Sequence, residues 1–209
     1  MKRAYILIVA ILFMVGCSSV KQLSEKQKEK LARTNLAYLN NFNSRGVVDI
    51  SVKGFSLKKE FFLKKNSKSL RLDILDSGIM SLLPSPFASL YVEDKILVTN
   101  YNKGFFPDLV SEQFPVNQFL DLEKLPQGII DEIIKNRKFT IAIIQFEFDE
   151  KYRLHQIIMN ENKTTFEYQN NDLYRINFLS PKAEVKFDFD SFETGDVLIK
   201  PVELKNKID

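Results

Sequence analysis

The chain has 209 residues, with 30 Lys and Arg against 27 Asp and Glu, one Cys and one His. This near balance of charge excludes a protein that binds nucleic acid through an excess of clustered positive charge. The single Cys excludes an intrachain disulfide, and the single His excludes a metal site built from several His side chains.

The first residues have the pattern of an export signal. Lys2 and Arg3 are followed by an apolar stretch over residues 4–15. This stretch is too short to span a membrane comfortably and is typical of the apolar region of a signal peptide. Removal of the signal would leave 28 basic against 27 acidic residues, because it takes two of the 30 basic residues with it.

The signal ends in Met14-Val15-Gly16-Cys17, which resembles the bacterial lipobox. The resemblance implies that residues 1–16 are a signal peptide, that Cys17 carries lipid, and that residues 17–23 are a tether. Two or three acyl chains give a stable anchor, at about 0.8 kcal/mol per buried methylene. The residue that follows the lipidated Cys in such proteins bears on which membrane they reach, and Ser18 favours the outer membrane over the inner membrane. The alternative is an uncleaved signal anchor with a buried Cys17.

A helix is predicted over residues 24–41. Ser24 and Gln27 make a capping box, and apolar residues then recur at helical spacing until Ser44 to Gly46. The period changes to two from Val47 onward, which predicts a meander of antiparallel strands on either side of Gly54 and up to Val98.

The segment over residues 105–136 is punctuated by Pro107, Pro115 and Pro126, and it predicts two or three short helices. Alternating strands resume at Phe139 and continue to Phe189, with turn-rich connectors between them. About ten strands and two helical regions predict an α+β fold. Its antiparallel sheet would be strongly curved and unclosed, a half-barrel capped by helices. This domain covers residues 24–200, and residues 201–209 form a loose tail.

The order of these features resembles the LolA/LolB superfamily of lipoprotein carriers and receptors. It includes the helix before the first strand, Gly46, the segment Ser69-Leu70-Arg71-Leu72-Asp73-Ile74, the helical insert and the hairpin segment Tyr152-Arg153-Leu154. The lipobox favours the membrane-anchored, LolB-like side of that superfamily.

The resemblance implies an apolar hollow that accepts acyl chains. The candidate lining residues are Val48, Ile50, Leu57, Leu72, Leu90, Ile141, Ile143, Phe166, Ile176, Phe178 and Phe187. It also implies a loop that touches the membrane, for which the candidates are Ile79, Met80, Leu82 and Leu83. The alternative for this loop is that it folds back under the sheet.

No pattern typical of an enzyme is present. His155 lies in a strand pattern, and the partners of a catalytic triad or a metal site are missing around it. Asp188 and Asp190 alternate with Phe residues and are expected to be solvated. We therefore expect no catalytic residues, no metal and no cofactor. A basic run is expected to be a solvated strand face or, alternatively, a contact with anionic headgroups: Lys58, Lys59, Lys64, Lys65 and Lys68.

Two hypotheses remain from the sequence. The first is a monomeric outer-membrane lipoprotein, anchored through Cys17 and facing the periplasm, that binds acylated lipoproteins or phospholipid and helps insert them in the membrane. A soluble LolA-like carrier would be its partner. The second is a lipid-anchored structural or interaction domain on the same scaffold, with its core filled by its own side chains.

Overall fold

The computed structural model describes residues 23–76, 85–93, 96–101 and 121–201. Cys17, the four loop candidates Ile79, Met80, Leu82 and Leu83, and the first two helix-punctuating prolines lie outside these ranges. The signal, the tether and most of the tail lie outside them as well.

The first helix, α1 (Glu25–Tyr38), begins where the sequence predicts. The Ser24 hydroxyl accepts a hydrogen bond from the Gln27 N–H, and the Gln27 side-chain oxygen accepts one from the Ser24 N–H at 2.9 Å. These two bonds satisfy free N–H groups at the helix start, which confirms the capping box. The helix ends three residues earlier than predicted, because residues 39–41 form the turn that leads into the first strand at Phe42.

The described residues contain eleven strands. They are β1 (Phe42–Val52), β2 (Phe55–Lys65), β3 (Ser69–Asp76), β4 (Ser85–Glu93), β5 (Ile96–Tyr101), β6 (Lys138–Ile141), β7 (Ile144–Phe148), β8 (Leu154–Met159), β9 (Asn162–Gln169), β10 (Asp172–Leu179) and β11 (Ala183–Thr194).

All eleven strands form one antiparallel sheet in the order β5-β4-β3-β2-β1-β11-β10-β9-β8-β7-β6. Strands β5 and β6 are its two edges, so the sheet is unclosed. We call β1–β5 the N-terminal wing and β6–β11 the C-terminal wing. The α+β class with a curved half-barrel sheet is thereby confirmed.

One predicted strand is a hairpin. The sequence suggests a continuous run from Phe139, but Ala142 and Ile143 form the turn between β6 and β7. Ala142 has a φ of 52°, in the left-handed region that turns require. Ile143 is 64% exposed, so its prediction as a lining residue is wrong.

Two short helical elements follow the undescribed segment. A 3-10 turn spans Leu122–Lys124, and α2 spans Gln127–Asn136 with Pro126 at its N-cap. The prediction that a helix begins at Pro126 is confirmed, since proline lacks the N–H that a helix start leaves free. Arg137 follows as the C-cap, and its φ of 52°, in the left-handed region, ends the helix.

The core divides into two clusters. The first joins α1, the 3-10 turn and α2 to the C-terminal wing, with Ala32, Ile130 and Ile133 fully buried. The second lies on β1, β2 and β3, where Val48 and Phe61 are buried. The helices pack against part of the C-terminal wing and the second cluster lies on the N-terminal wing, and unfilled space remains between the two clusters.

Candidate functional site: an apolar cavity

A cavity of about 400 Å³ lies between the two core clusters. Its wall comes from the C-terminal end of α1, the 3-10 turn, and strands of both wings. The wall residues are Leu39, Phe42, Leu63, Lys65, Leu70, Leu122, Ile144, Phe146, Leu154, Ile157, Met159, Asn162, Thr164, Phe166, Leu173, Ile176 and Phe178. Fourteen of these 17 side chains are apolar, so the cavity is suited to a hydrocarbon group.

Strand alternation determines which side chains form most of this wall. In two places a β-bulge changes which residue of the strand faces the cavity. On β10, Ile176 and Phe178 point inward by simple alternation, but a register shift between Leu173 and Arg175 turns Leu173 inward instead of Tyr174. On β8, a shift beside Phe148 does the same for Leu154. A bulge adds one residue to one strand and so changes which side chains share a face.

The eleven predicted lining residues are divided among three environments. Phe166, Ile176 and Phe178 are in the cavity wall. Seven others lie elsewhere in or beside the core: Val48 and Ile50 are buried in the second cluster, Leu57, Leu72 and Phe187 pack against it, Ile141 packs against the first cluster, and Leu90 is half-buried on β4. Ile143 is in the exposed turn. Contact of the wall residues with acyl chains remains a prediction.

Sequence reasoning missed the wall residues on β7 and at the end of α1. Ile144 and Phe146 alternate with Gln145 and Glu147, a clear two-residue period that could have identified them. The unrecognised turn shifted the assignment of faces by one residue. Leu39 belongs to the apolar stripe that the helical period predicts, although α1 itself ends at Tyr38, but it is not among the candidate lining residues.

Lys65 is the one ionisable side chain among the wall residues that the structure describes. It is 7% exposed, and its Nζ donates hydrogen bonds to the Asn40 backbone oxygen at 3.0 Å and to Asn40 Oδ1 at 3.4 Å. Burial lowers the pKa of Lys65 to about 8, against a smaller opposing effect of the Asp121 charge. The expectation that this lysine belongs to a solvated strand face is therefore wrong. It alternates with Lys64, which lies on the opposite face.

Polar groups on the 3-10 turn hold Asn40 in place. Asn40 is 2% exposed, and its Nδ2 donates to Asp121 Oδ1 at 3.3 Å and to Glu123 Oε2 at 3.5 Å. Burial opposes ionisation of Asp121, but hydrogen bonds from Lys124 and Asn40 and the Lys124 charge together lower its pKa. A chain of polar contacts thus runs from the cavity wall to the outside through Asn40.

The other candidates for chemistry are on the surface. His155 is exposed, as is Asp190, whereas Asp188 Oδ1 accepts a hydrogen bond from Arg175 Nε at 2.5 Å. The prediction that Asp188 is merely solvated is therefore incomplete. Within the ranges that the structure describes, no three His, Cys, Asp or Glu side chains are placed to hold a metal ion. None of the described helices has the length and apolar character needed to cross a bilayer.

The described residues define a class of structure: an unclosed antiparallel half-barrel whose hollow contains helices and an apolar cavity. No protein-family model and no curated protein matches the sequence. Three solved structures are similar in fold over most of the chain.

The first is a LolA superfamily protein from Nitrosomonas europaea, with 8% identity and a TM-score of 0.45, covering 85% of this chain and 96% of that one. The second is a putative outer membrane lipoprotein-sorting protein domain from Vibrio parahaemolyticus, with 8% identity, the same coverage and a TM-score of 0.41. The third is a DUF1329 family protein from Desulfovibrio piger, with 10% identity and a TM-score of 0.33, covering 83% of this chain and 94% of that one.

Proposed function

We propose that this chain is a lipid-anchored, periplasm-facing protein that binds acyl chains in its apolar cavity and helps insert acylated lipoproteins or lipids in the outer membrane. The observation that carries the proposal is the cavity itself, with Ile157, Phe166 and Ile176 among its apolar walls. Water gains little from an apolar wall, whereas an acyl chain gains about 0.8 kcal/mol per buried methylene.

The size of the cavity suits one acyl chain. An apolar cavity of about 150 Å³ accommodates a benzene molecule. A cavity of about 400 Å³ therefore suits an apolar group with about two to three times as many carbons. This is the size of a single long alkyl chain, and it lies within the range of about 300–1,000 Å³ that small-molecule sites occupy.

The anchor and the delivery step rest on the sequence. The lipobox at Cys17 supports an anchored protein, and the apolar segment with Ile79, Met80, Leu82 and Leu83 is proposed to contact the bilayer. A soluble LolA-like carrier is proposed as the donor of the acylated cargo. Cys17→Ala in the full chain is expected to abolish labelling by a radioactive fatty acid in cells.

A second candidate function is a lipid-anchored interaction domain without transport. It is favoured by the first core cluster, in which side chains of α1 and α2 already fill much of the hollow. Ile130 and Ile133 are fully buried there. On this hypothesis the remaining cavity is a packing defect and binds nothing with useful affinity.

One titration distinguishes the two candidates. The chain from residue 17 onward with Cys17→Ala, stripped of lipid, is titrated with a triacylated lipoprotein peptide, with a long-chain phospholipid and with the peptide lacking acyl chains. Saturable binding of either acylated probe alone supports the acyl-binding function. If all three probes behave equally, the acyl-binding function is contradicted and the interaction domain remains as the candidate function.

A further inference from the structure

Four turns between neighbouring strands lie at one end of the sheet, which we call the Ile143 end. They join β1 to β2, β6 to β7, β8 to β9 and β10 to β11, over residues 53–54, 142–143, 160–161 and 180–182. Because neighbouring strands are antiparallel, the opposite end has the turns over residues 66–68, 149–153 and 170–171.

The pairing register keeps the Ile143 end nearly level. The pairs that run across it from β1 to β7 are Val52 with Ala183, Glu184 with Leu179, Leu179 with Lys163, Lys163 with Ile158, and Met159 with Ile144. From each pair to the next, the row moves by at most one residue along a strand. Neighbouring strands are about 4.8 Å apart, so the turns form one continuous row.

Large apolar side chains are exposed along this row. Ile143 is 64% exposed, and Leu179 and Phe55 are each 48% exposed. A single exposed apolar side chain is ordinary on a protein surface. Three of the six that the described residues contain are nevertheless at this end, whereas the described turns of the opposite end expose none. This concentration at one end indicates a contact surface.

The charge at the Ile143 end is complementary to an anionic surface. Lys53, Lys163 and Lys182 are exposed in or beside its turns, together with Glu161. Glu184, close by, forms an ion pair at 2.9 Å with a lysine of its own strand. Lysines are attracted to a bilayer that contains anionic lipid, and buried apolar area adds to this attraction.

The cavity reaches the same end of the sheet. Ile144, Met159 and Asn162 are the strand residues next to two of the turns, and all three are in the cavity wall. A bilayer against this end would therefore lie beside the wall. An acyl chain would then have a short path between bilayer and cavity, with little exposure to water.

We propose that the Ile143 end docks on a bilayer that contains anionic lipid, with Ile143 and Leu179 in the headgroup region and the three lysines beside lipid phosphates. This inference rests on the proposed membrane-anchored function and adds a docking surface to the segment already proposed to contact the bilayer. A second copy of the chain is disfavoured as the occupant, because two copies joined through this end would bring their lysines together.

The first test is vesicle binding by the chain from residue 17 onward with Cys17→Ala, so that no anchor contributes. Flotation is compared between vesicles of phosphatidylethanolamine with phosphatidylglycerol and vesicles of phosphatidylcholine. Ile143→Asp with Leu179→Asp should lower the partition coefficient about tenfold or more, because both side chains lose their apolar contact. Lys163→Gln with Lys182→Gln should lower it by a similar factor on the anionic vesicles only.

The matched controls are Leu198→Asp and the pair Lys68→Gln with Lys151→Gln. Leu198 is 82% exposed beside the opposite end, where the Val197 oxygen accepts a hydrogen bond from Asn66 Nδ2 at 3.1 Å. Both lysines are exposed in turns of that end. Each control should bind vesicles as the parent does, and circular dichroism establishes that every variant is folded.

A single tryptophan identifies the end that meets the bilayer, because the parent chain has no Trp. With anionic vesicles, the fluorescence of Ile143→Trp should move to shorter wavelength and be quenched by brominated lipid, since indole favours the membrane interface. The fluorescence of Leu198→Trp should not change.

The outcomes separate docking from acyl binding. The docking surface is overturned if the parent does not float with anionic vesicles, or if the changes at Ile143 and Leu179 affect flotation no more than Leu198→Asp does. It is also overturned if sedimentation shows that the parent is a dimer and that these two changes dissociate it. The titration with triacylated and unacylated peptides measures acyl binding without vesicles, so failure of either function is recognised independently of the other.

Discussion

At the scale of the residue, burial of Lys65 links the stability of the fold to pH. Its pKa is lowered from 10.5 to about 8, so between these values the unfolded chain binds a proton that the folded chain has released. The free energy of unfolding therefore rises with pH through this window. Below pH 8 both states are protonated, and the folded protein bears the full cost of the buried charge, about 3 kcal/mol.

Lys65→Met should remove this dependence. We expect the difference in unfolding free energy between the parent and Lys65→Met to shift in favour of the parent by about 2 kcal/mol between pH 7.5 and pH 10. Urea denaturation of both proteins at each pH measures it. Lys64→Met is the control and should show the same difference at both values. A parent-to-Met difference independent of pH would show that Lys65 is not desolvated in solution.

A second residue-scale prediction concerns two neighbours on β8. Ile157 is in the cavity wall and Ile158 is on the opposite face. Ile157→Trp should weaken binding of a dodecyl probe about tenfold or more, because the indole would occupy the space of several methylenes. Ile158→Trp should change the affinity less than about twofold. The parent chain has no Trp, so each variant also provides a single fluorophore for the titration. Equal losses in both would place the ligand outside the cavity.

At the scale of the element, local signals that have a direct physical cause are read correctly from the sequence. The capping box at Ser24 and the helix start at Pro126 satisfy or avoid free N–H groups, and both are confirmed. The turn at Ala142 cannot be predicted from the sequence, because neither Ala142 nor Ile143 is a residue type that is typical of a turn with positive φ. Bulges such as that at Leu173 also cannot be predicted from the sequence, since they arise from strand pairing and not from the local sequence.

The junction of β1 with β11 depends on Gly46. The pairing shifts register between Arg45 and Gly46, and a Cβ at Gly46 would lie 1.9 Å from the Asp188 carbonyl oxygen. Gly46→Ala should therefore lower the free energy of unfolding by about 3 kcal/mol, because the strands must separate locally. Urea denaturation measures the loss.

Gly128→Ala is the matched control for this prediction. Gly128 lies in α2, and among the described residues no atom beyond its chain neighbours and its own helix backbone lies within 4 Å of an added Cβ, so alanine should stabilise the fold by about 0.5–1 kcal/mol. A similar small effect at both glycines would contradict the close approach of β11 to Gly46.

At the scale of the whole molecule, the sequence predicts the class of fold and its curvature but not the wall of the cavity. Alternation in β11 and in β1 assigns a buried face to each strand, and Val48 and Phe187 do lie on it. Whether a buried side chain meets another side chain or empty space depends on where the helices rest on the sheet. Phe166, Ile176 and Phe178 line the cavity because α1 and α2 leave that part of the sheet uncovered.

A cavity of fixed volume predicts a limit on chain length. For a series of unbranched alcohols, the affinity should rise by about fourfold per added methylene, which corresponds to about 0.8 kcal/mol. The increase should then stop once about 400 Å³ is occupied. Calorimetric titration with chains of increasing length measures both slope and limit. An affinity independent of chain length would contradict binding in the cavity.

The order of strands in the sheet also governs how the protein can be assembled. The two wings meet where β1 pairs with β11, and partners such as Val48 and Phe187 are 139 positions apart along the chain. Contacts this distant in sequence are slow to form. Until the last strand has been synthesised, β1 lacks a partner on one side and can pair with strands of other molecules. The two wings are therefore joined by the final strand to arrive, and a chain interrupted before β11 would yield two separate half-sheets.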